Sequence, residues 1–148
     1  MLRFHVVVIA TVFLAACGSD DPTGPGGLDV SGVWTASIAG TVFNGEDGTG
    51  QTTSFRLTLV QSGTEITGTE TFTDTLGRSG SSAFSGTFIG TTFGYSSPDF
   101  DPACGGRTVT RIATVTSTTP GSTMSISAVA SSAGSCPPLF GELIYTKQ

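Results

Sequence analysis

Glu70 and Arg111 are charged residues at positions that otherwise alternate as the apolar face of a strand. Glu70 shares one face of a period-two pattern with Ile66 and Phe72, and Arg111 shares one with Val109. A carboxylate among apolar side chains is costly unless it is paired, so Arg111 is its candidate partner. The pair would act as a polar anchor in a ligand cavity. Two alternatives stay open: a structural ion pair, or a glutamate in water near a strand end.

Four further carboxylates lie in two predicted loops, as Glu46, Asp47, Asp99 and Asp101. Calcium requires several oxygen ligands, and two carboxylates can act as the acid and nucleophile of a glycosidase. The run 44–48 lacks the alternating acid spacing of a calcium loop, and no pair of carboxylates is singled out by its spacing. We therefore predict no metal, no cofactor and no catalytic residues.

Aromatic residues accompany these acids, as Phe43 in the first loop and Phe100 between Asp99 and Asp101. Exposed aromatic anchors flanked by polar residues suit contact with a protein or a glycan. The predicted rim consists of Phe43, Asp99, Phe100 and Asp101. Alternatively, the two phenylalanines fold down as a lid over the barrel mouth.

Missing residue types exclude several kinds of enzyme. The one histidine is His5 and the one lysine is Lys147. If a leader containing His5 is removed, catalysis by Ser-His-Asp or Cys-His and histidine-ligated zinc are excluded. Removing Arg3 as well leaves five basic against eleven acidic residues, a charge of −6. We therefore predict a protein that is not an enzyme and does not bind nucleic acid.

The first residues resemble the leader of a bacterial lipoprotein precursor. The apolar run 6–14 is shorter than the roughly 20 residues of a transmembrane helix, and Leu14-Ala15-Ala16-Cys17 looks like a lipobox. The resemblance implies a signal peptide over 1–16, a lipidated Cys17 and a location in the bacterial cell envelope. Residues 17–28 are predicted to form a flexible tether, and Gly18 favours the outer membrane.

Residues 29–148 carry a period-two alternation that predicts one all-β domain. Short segments rich in Thr, Val, Ile and Phe are separated by breaks that contain glycine. The eight predicted strands are 31–40, 52–61, 64–73, 81–89, 91–96, 107–117, 122–131 and 139–147.

Tight turns between sequential strands favour an antiparallel meander, and closing it removes two exposed edges. We therefore predict an eight-stranded up-and-down barrel. A β-sandwich is the alternative, but the Cys-Trp-Cys order of immunoglobulin domains is missing because Trp34 precedes both later cysteines.

Loop parity brings Cys104 and Cys136 to the same end of this meander. Alternate loops of a meander lie together, so three short loops occupy one end. The longer predicted loops 41–51, 74–80, 97–106 and 132–138 occupy the other end. In an exported protein the two cysteines are therefore predicted to form a disulfide. The start of the first strand and the end of the last lie at the short-loop end, so the tether attaches there.

The tripeptide Gly32-Val33-Trp34 resembles the Gly-x-Trp signature of calycins, the lipocalin-like barrels. The resemblance implies that Trp34 closes one barrel end under a basic residue of the last strand. Lys147 is the matching residue.

Together these features predict a membrane-anchored binding module for a small apolar ligand. The alternative is contact with a protein or a glycan through the long loops, and an enzyme is the third hypothesis. The residues predicted to bind the ligand are Trp34, Phe55, Leu57, Glu70, Phe84, Arg111 and Met124.

Overall fold

A computed structural model describes residues 27–40, 51–98, 108–129 and 142–148. In these ranges the chain forms a closed antiparallel barrel in which each strand pairs with its neighbours in sequence. This confirms the predicted all-β, eight-stranded barrel. No helix in the described ranges is both long and apolar enough to cross a membrane. The strands are β1 (Gly32–Ala39), β2 (Thr52–Ser62), β3 (Glu65–Asp74), β4 (Ser79–Ile89), β5 (Thr92–Pro98), β6 (Thr108–Val115), β7 (Thr123–Val129) and β8 (Glu142–Lys147).

Alternating side chains give the barrel an apolar interior and a hydroxyl-rich wall. In β2, Phe55, Leu57 and Leu59 are buried while Arg56 and Thr58 are exposed. Successive side chains of a strand point to opposite faces, so this alternation fixes which residues face the interior.

The strand ends divide between the two ends of the barrel as loop parity predicts. The predicted short turn 118–121 is wrong, however, because the turn between β6 and β7 comprises residues 116–122. The turns β2–β3, β4–β5 and β6–β7 lie at one end, which we call the short-loop end. The start of β1 and the end of β8 meet there, since the backbone N–H of Gln148 donates to the carbonyl of Val33 at 2.9 Å. The opposite end, which we call the long-loop end, carries the β3–β4 turn and the strand ends that flank residues 41–50, 99–107 and 130–141. Those three segments lie outside the described residues.

The predicted long loop 74–80 is wrong, because the turn between β3 and β4 comprises only residues 75–78. The Asp74 carboxylate accepts hydrogen bonds from the backbone N–H groups of Leu76 and Arg78, both at 2.9 Å. An aspartate that binds the backbone in this way stabilises a tight turn, so both strands extend further than the sequence pattern indicates.

A short segment before β1 closes the short-loop end. Val30 is buried, and its carbonyl accepts a hydrogen bond from Nε1 of Trp34 at 2.9 Å. The amide of Gln61 accepts from the Val30 N–H at 2.9 Å and donates to the carbonyls of Leu28 and Gly63. The side chain of Gln61 therefore fixes the segment across the end of the barrel.

Lys147 lies over the indole of Trp34 at the same end. Its Nζ is 5.5 Å from the ring centroid and donates to the carbonyl of Asp29 at 3.2 Å. Hydrogen bonds from Ser31 hold the pKa of the Asp29 carboxyl below its usual range, and the positive charge of Lys147 acts in the same direction.

Two glycines in strands allow close approach in the interior. A Cβ at Gly86 would overlap the carbonyl oxygen of Gly94 in the neighbouring strand. A Cβ at Gly68 would lie 2.6 Å from Cζ of Phe84 and 2.8 Å from Cδ2 of Leu59. Close-packed cores leave no space for such atoms, so these positions require glycine.

Candidate functional site

Most of the buried polar side chains lie in the middle of the barrel and towards the long-loop end. The exception is Gln61, which holds the segment at the short-loop end. The other buried polar residues are Thr53, Glu70, Ser82, Ser97 and Arg111. Charged residues are rarely buried without a partner, so Glu70 and Arg111 mark the candidate site.

The Glu70 carboxylate lies at the centre of a cluster that joins four strands. Its Oε1 accepts from the hydroxyl of Tyr145 at 3.2 Å and from that of Tyr95 at 3.5 Å. Its Oε2 accepts from Ser97 Oγ at 3.4 Å and lies 3.7 Å from Nη1 of Arg111, which also donates to Ser97. We call these five residues the Glu70 cluster.

The structure excludes one of the three hypotheses for Glu70. The glutamate is 0% exposed, so the alternative that placed it in water near a strand end is wrong. The predicted pairing with Arg111 is confirmed by the 3.7 Å separation. What remains is a choice between a structural ion pair and an anchor for a ligand.

Both tyrosines of the chain belong to this cluster and are held in their neutral form. Burial raises the pKa of Tyr95 well above its ordinary value, and the negative charge of Glu70 raises it further. The same two causes raise the pKa of Tyr145. Tyr95 also stacks on Phe84 at 4.0 Å between ring centroids. The tyrosines therefore act as hydrogen-bond donors to the carboxylate and not as proton-transfer groups near neutral pH.

The residues predicted to bind a ligand all lie inside the barrel, but they pack as core. A side chain that lined a water-sized cavity would be partly exposed to it, yet Trp34, Leu57 and Met124 are 0% exposed. Phe55 and Phe84 are 2% and 8% exposed. The described interior is therefore filled at these side chains.

Sequence reasoning missed three members of the cluster. Tyr95 and Ser97 follow one another on the inner face of β5, and Tyr145 faces inward between Leu143 and Lys147 in β8. The alternation in these strands could have predicted that the three side chains face the interior. It could not show that these side chains reach Glu70 across the barrel.

Several predicted site residues lie outside the described ranges. These are the rim residues Phe43, Asp99, Phe100 and Asp101 and the cysteines Cys17, Cys104 and Cys136. Within the described ranges, no group of three or more residues could hold a metal ion.

An ion pair and a hydrogen bond stabilise the β3–β4 turn, which is the described turn at the long-loop end. Arg78 Nε lies 2.6 Å from Asp74 Oδ2, and its Nη2 donates to Gln51 at 3.1 Å. Burial opposes ionisation of Asp74, but hydrogen bonds from Arg78 lower the pKa of its carboxyl overall. Leu76 projects from this turn and is 56% exposed. The turn therefore presents one apolar side chain on a charged, hydrogen-bonded base.

A groove with a volume of about 790 Å³ crosses the outer wall of the barrel, and we call it the outer groove. Since side chains alternate, Ala36, Phe55 and Phe72 contribute their backbone to its floor. Ile144, Thr146 and Gln148 lie at its β8 side. Its two walls are rows of outward side chains: Thr35, Arg56 and Thr71 in one row, and Ser37, Ser54 and Thr73 in the other.

Comparison with known protein families, characterised proteins and solved structures finds no match to this chain. The function is therefore inferred from the residues of the barrel itself. The filled interior, the two unlike ends and the outer groove are the features that bear on it.

Proposed function

We propose that this protein is a lipid-anchored, non-enzymatic binding module that presents its long-loop end to a protein of the cell envelope. The filled interior carries this proposal. Trp34, Leu57, Glu70 and Met124 have no exposed surface, which leaves no space for a ligand against them. A packed barrel is a rigid scaffold, and binding residues are commonly carried on loops that such a scaffold positions.

The proposed anchor rests on the lipobox, Leu14 to Cys17. The segment 27–31 enters the barrel at the short-loop end, where Gln61 and Lys147 hold it. A tether before this segment would therefore place the short-loop end nearest the membrane. The long-loop end would point away from the lipid, and Gly18 supports the outer membrane as the location.

A calycin-type barrel remains part of the proposal. The contact of Lys147 with Trp34 supports it, since the resemblance implies a basic residue over this tryptophan. The closed eight-stranded meander supports it as well. Barrels of this kind serve many functions, so the resemblance adds little to the choice of partner.

The absence of catalysis is proposed from the kinds of groups available. In the described part of the chain, the buried carboxylate Glu70 is engaged by two tyrosines, Ser97 and Arg111. A general acid or base must reach its substrate, which a sealed and paired carboxylate does not do.

A small ligand inside the barrel is the second candidate function. The Glu70 cluster favours it, because a buried carboxylate and guanidinium could anchor a polar group at the end of an apolar molecule. Such a ligand would have to displace side chains that now fill the interior. We therefore rank it below a partner at the long-loop end.

Site-specific photocrosslinking in cells tests the proposed direction of binding. Leu76 and Ile89 form a matched pair, since both are exposed apolar residues in or beside tight turns at opposite ends of the barrel. We expect a crosslinker at Leu76 to capture one discrete envelope protein, and a crosslinker at Ile89 to capture none. Capture from Ile89 alone, or from neither position, would contradict the proposal.

A further inference from the structure

We propose that the outer groove is a second binding surface, which takes a linear oligosaccharide carrying carboxylate groups. The juxtaposition of two hydroxyl rows with the exposed guanidinium of Arg56 carries this inference. The groove lies on the outer face of the barrel wall, whereas the Glu70 cluster lies inside the barrel. Its second row, Ser37, Ser54 and Thr73, reaches the long-loop end, but Arg56 and Thr71 lie further along the wall. The proposal therefore does not depend on the protein partner proposed above.

The walls of the outer groove offer hydroxyl groups in a regular array. Neighbouring strands in a sheet lie about 5 Å apart, and side chains on one face repeat about every 7 Å along a strand. Each hydroxyl can both donate and accept a hydrogen bond. Sugar hydroxyls can also both donate and accept. Successive sugars could therefore bind along the rows whichever partner donates each hydrogen bond.

A peptide fits this surface less well than a sugar chain. The floor is backbone that is already paired, through the registers Ala36 to Phe55 and Phe55 to Phe72. Extended peptides commonly bind by adding a strand to a free sheet edge, and between β1, β2 and β3 the floor has no such edge. Only the β8 side could take a strand, because the ladder between β1 and β8 runs only through Trp34 and Thr35. Side-chain hydroxyls are what the groove offers, which favours a polyhydroxyl ligand.

Charge selects an acidic ligand. The protein carries a formal net charge of −5, yet no side chain that lines the groove is acidic. Arg56 is exposed in the middle of one wall and makes no ion pair within the described ranges. A guanidinium binds a carboxylate through two parallel hydrogen bonds, which fixes both position and orientation.

Two residues at the β8 side complete the surface. Ile144 is 50% exposed and offers an apolar contact for the C–H face of a sugar ring. Gln148 donates from Nε2 to Thr35 Oγ1 at 2.7 Å, which holds its amide beside the groove. The surface therefore combines hydroxyl groups, one amide, one cation and one apolar side chain.

Calorimetric titration of the full chain in detergent tests the proposal with oligogalacturonate as the probe and maltohexaose as its neutral counterpart. We expect binding of the acidic oligomer that weakens as salt is added, and much weaker binding of the neutral one. Arg56→Gln should lower the affinity at least about tenfold. Thr71→Val should lower it as well, whereas Thr114→Val, an exposed threonine on β6, should leave it unchanged.

Three outcomes would overturn the proposal: no heat of binding with the acidic oligomer, equal binding of both oligomers, or an affinity that Arg56→Gln leaves unchanged. Each variant is checked first for an unchanged unfolding midpoint, so that lost binding is not lost folding. The groove variants and the crosslinker at Leu76 alter different residues and are read out by different measurements, so this proposal and the proposed protein partner can fail separately.

Discussion

Replacing Glu70 with glutamine keeps the shape of the side chain and removes the charge that faces Arg111. Both residues are buried, at 0% and 3% exposure. Breaking a buried ion pair leaves an uncompensated charge in a medium that solvates it poorly, at a cost of about 3 kcal/mol. We expect Glu70→Gln to lower the free energy of unfolding in urea by about this amount.

Glu65→Gln is the matched control for this prediction. Glu65 lies on the same strand but is exposed, so its replacement should change stability by less than about 0.5 kcal/mol. The double variant Glu70→Gln with Arg111→Met should be more stable than the sum of the two single changes predicts. Additive losses would show that the two charges do not interact, and would contradict the proposal that the pair stabilises the fold.

The two tyrosines predict how the protein responds to alkali. Both have pKa values raised by burial, whereas in the unfolded chain they ionise near 10. The folded state therefore binds more protons than the unfolded state above this pH. Their contribution to stability is complete below pH 10 and is lost as the pH rises further.

Ultraviolet absorbance of tyrosinate measures this directly, because the chain has only these two tyrosines. We expect no tyrosinate signal from the native protein near pH 10, and then a single rise that coincides with unfolding in circular dichroism. The chain in guanidinium should titrate near the ordinary value. A native titration near pH 10 without unfolding would contradict the buried placement of both side chains.

The residue scale also shows what a sequence can predict. The inward positions of Glu70 and Arg111 follow from alternation with apolar neighbours. A buried carboxylate needs a partner, which made Arg111 its candidate, although the sequence left open a glutamate in water. The hydroxyls of Tyr95 and Tyr145 were not predicted as partners. They approach Glu70 across the barrel, 25 and 75 residues away in sequence, and local patterns contain no such distances.

At the scale of the strands, the pairing of β4 with β5 depends on Gly86. A Cβ there would overlap the Gly94 carbonyl, which is backbone and cannot move aside alone. We expect Gly86→Ala to destabilise the protein by about 2 kcal/mol or more, since overpacking forces backbone shifts. Chemical denaturation measures the loss.

Gly94→Ala provides the control in the same strand pair. The nearest atom to its added Cβ is the Arg111 carbonyl oxygen at 3.9 Å, an ordinary contact. Its free energy of unfolding should therefore remain within about 0.5 kcal/mol of the parent. Equal losses from both variants would indicate that Gly86 matters for strand propensity and not for close approach.

Strand boundaries were predictable where apolar residues mark them. Predicted strand 52–61 differs from β2 by one residue, because its alternation is unbroken. Predicted strand 81–89 missed Ser79 and Gly80, which carry no apolar signal but pair with Thr73 and Phe72. Predicted strand 91–96 stopped before Ser97 and Pro98, although both pair with β6. Polar strand ends are determined by pairing with a neighbour and not by their own composition.

At the scale of the whole molecule, mass spectrometry tests the disulfide and the filled interior together. Cys104 and Cys136 lie outside the described residues, so their bond stays a prediction from loop parity. We expect the denatured, unreduced protein to be lighter than the reduced chain by two hydrogen atoms. The bond would stabilise the fold by roughly 3 kcal/mol through loop entropy.

The native mass separates the two candidate functions. A packed barrel should show the bare mass of the chain under conditions that preserve non-covalent complexes. Extra mass that disappears on denaturation would identify a carried ligand and would favour the small-ligand hypothesis over the protein partner. Full reactivity of both cysteines towards alkylating reagents, without reductant, would contradict the disulfide.

The hydrogen bond from Gln148 to Val33 brings the C-terminal residue next to the start of β1. A short linker from Gln148 to Leu28 would join the two ends of the domain, and new termini could be placed in the turn at residues 75–78. Such a circular permutant keeps every strand pair of the barrel but attaches its anchor at the opposite end. The long loops would then face the lipid, so a function that depends on presenting them outward would be lost from a protein that is still folded.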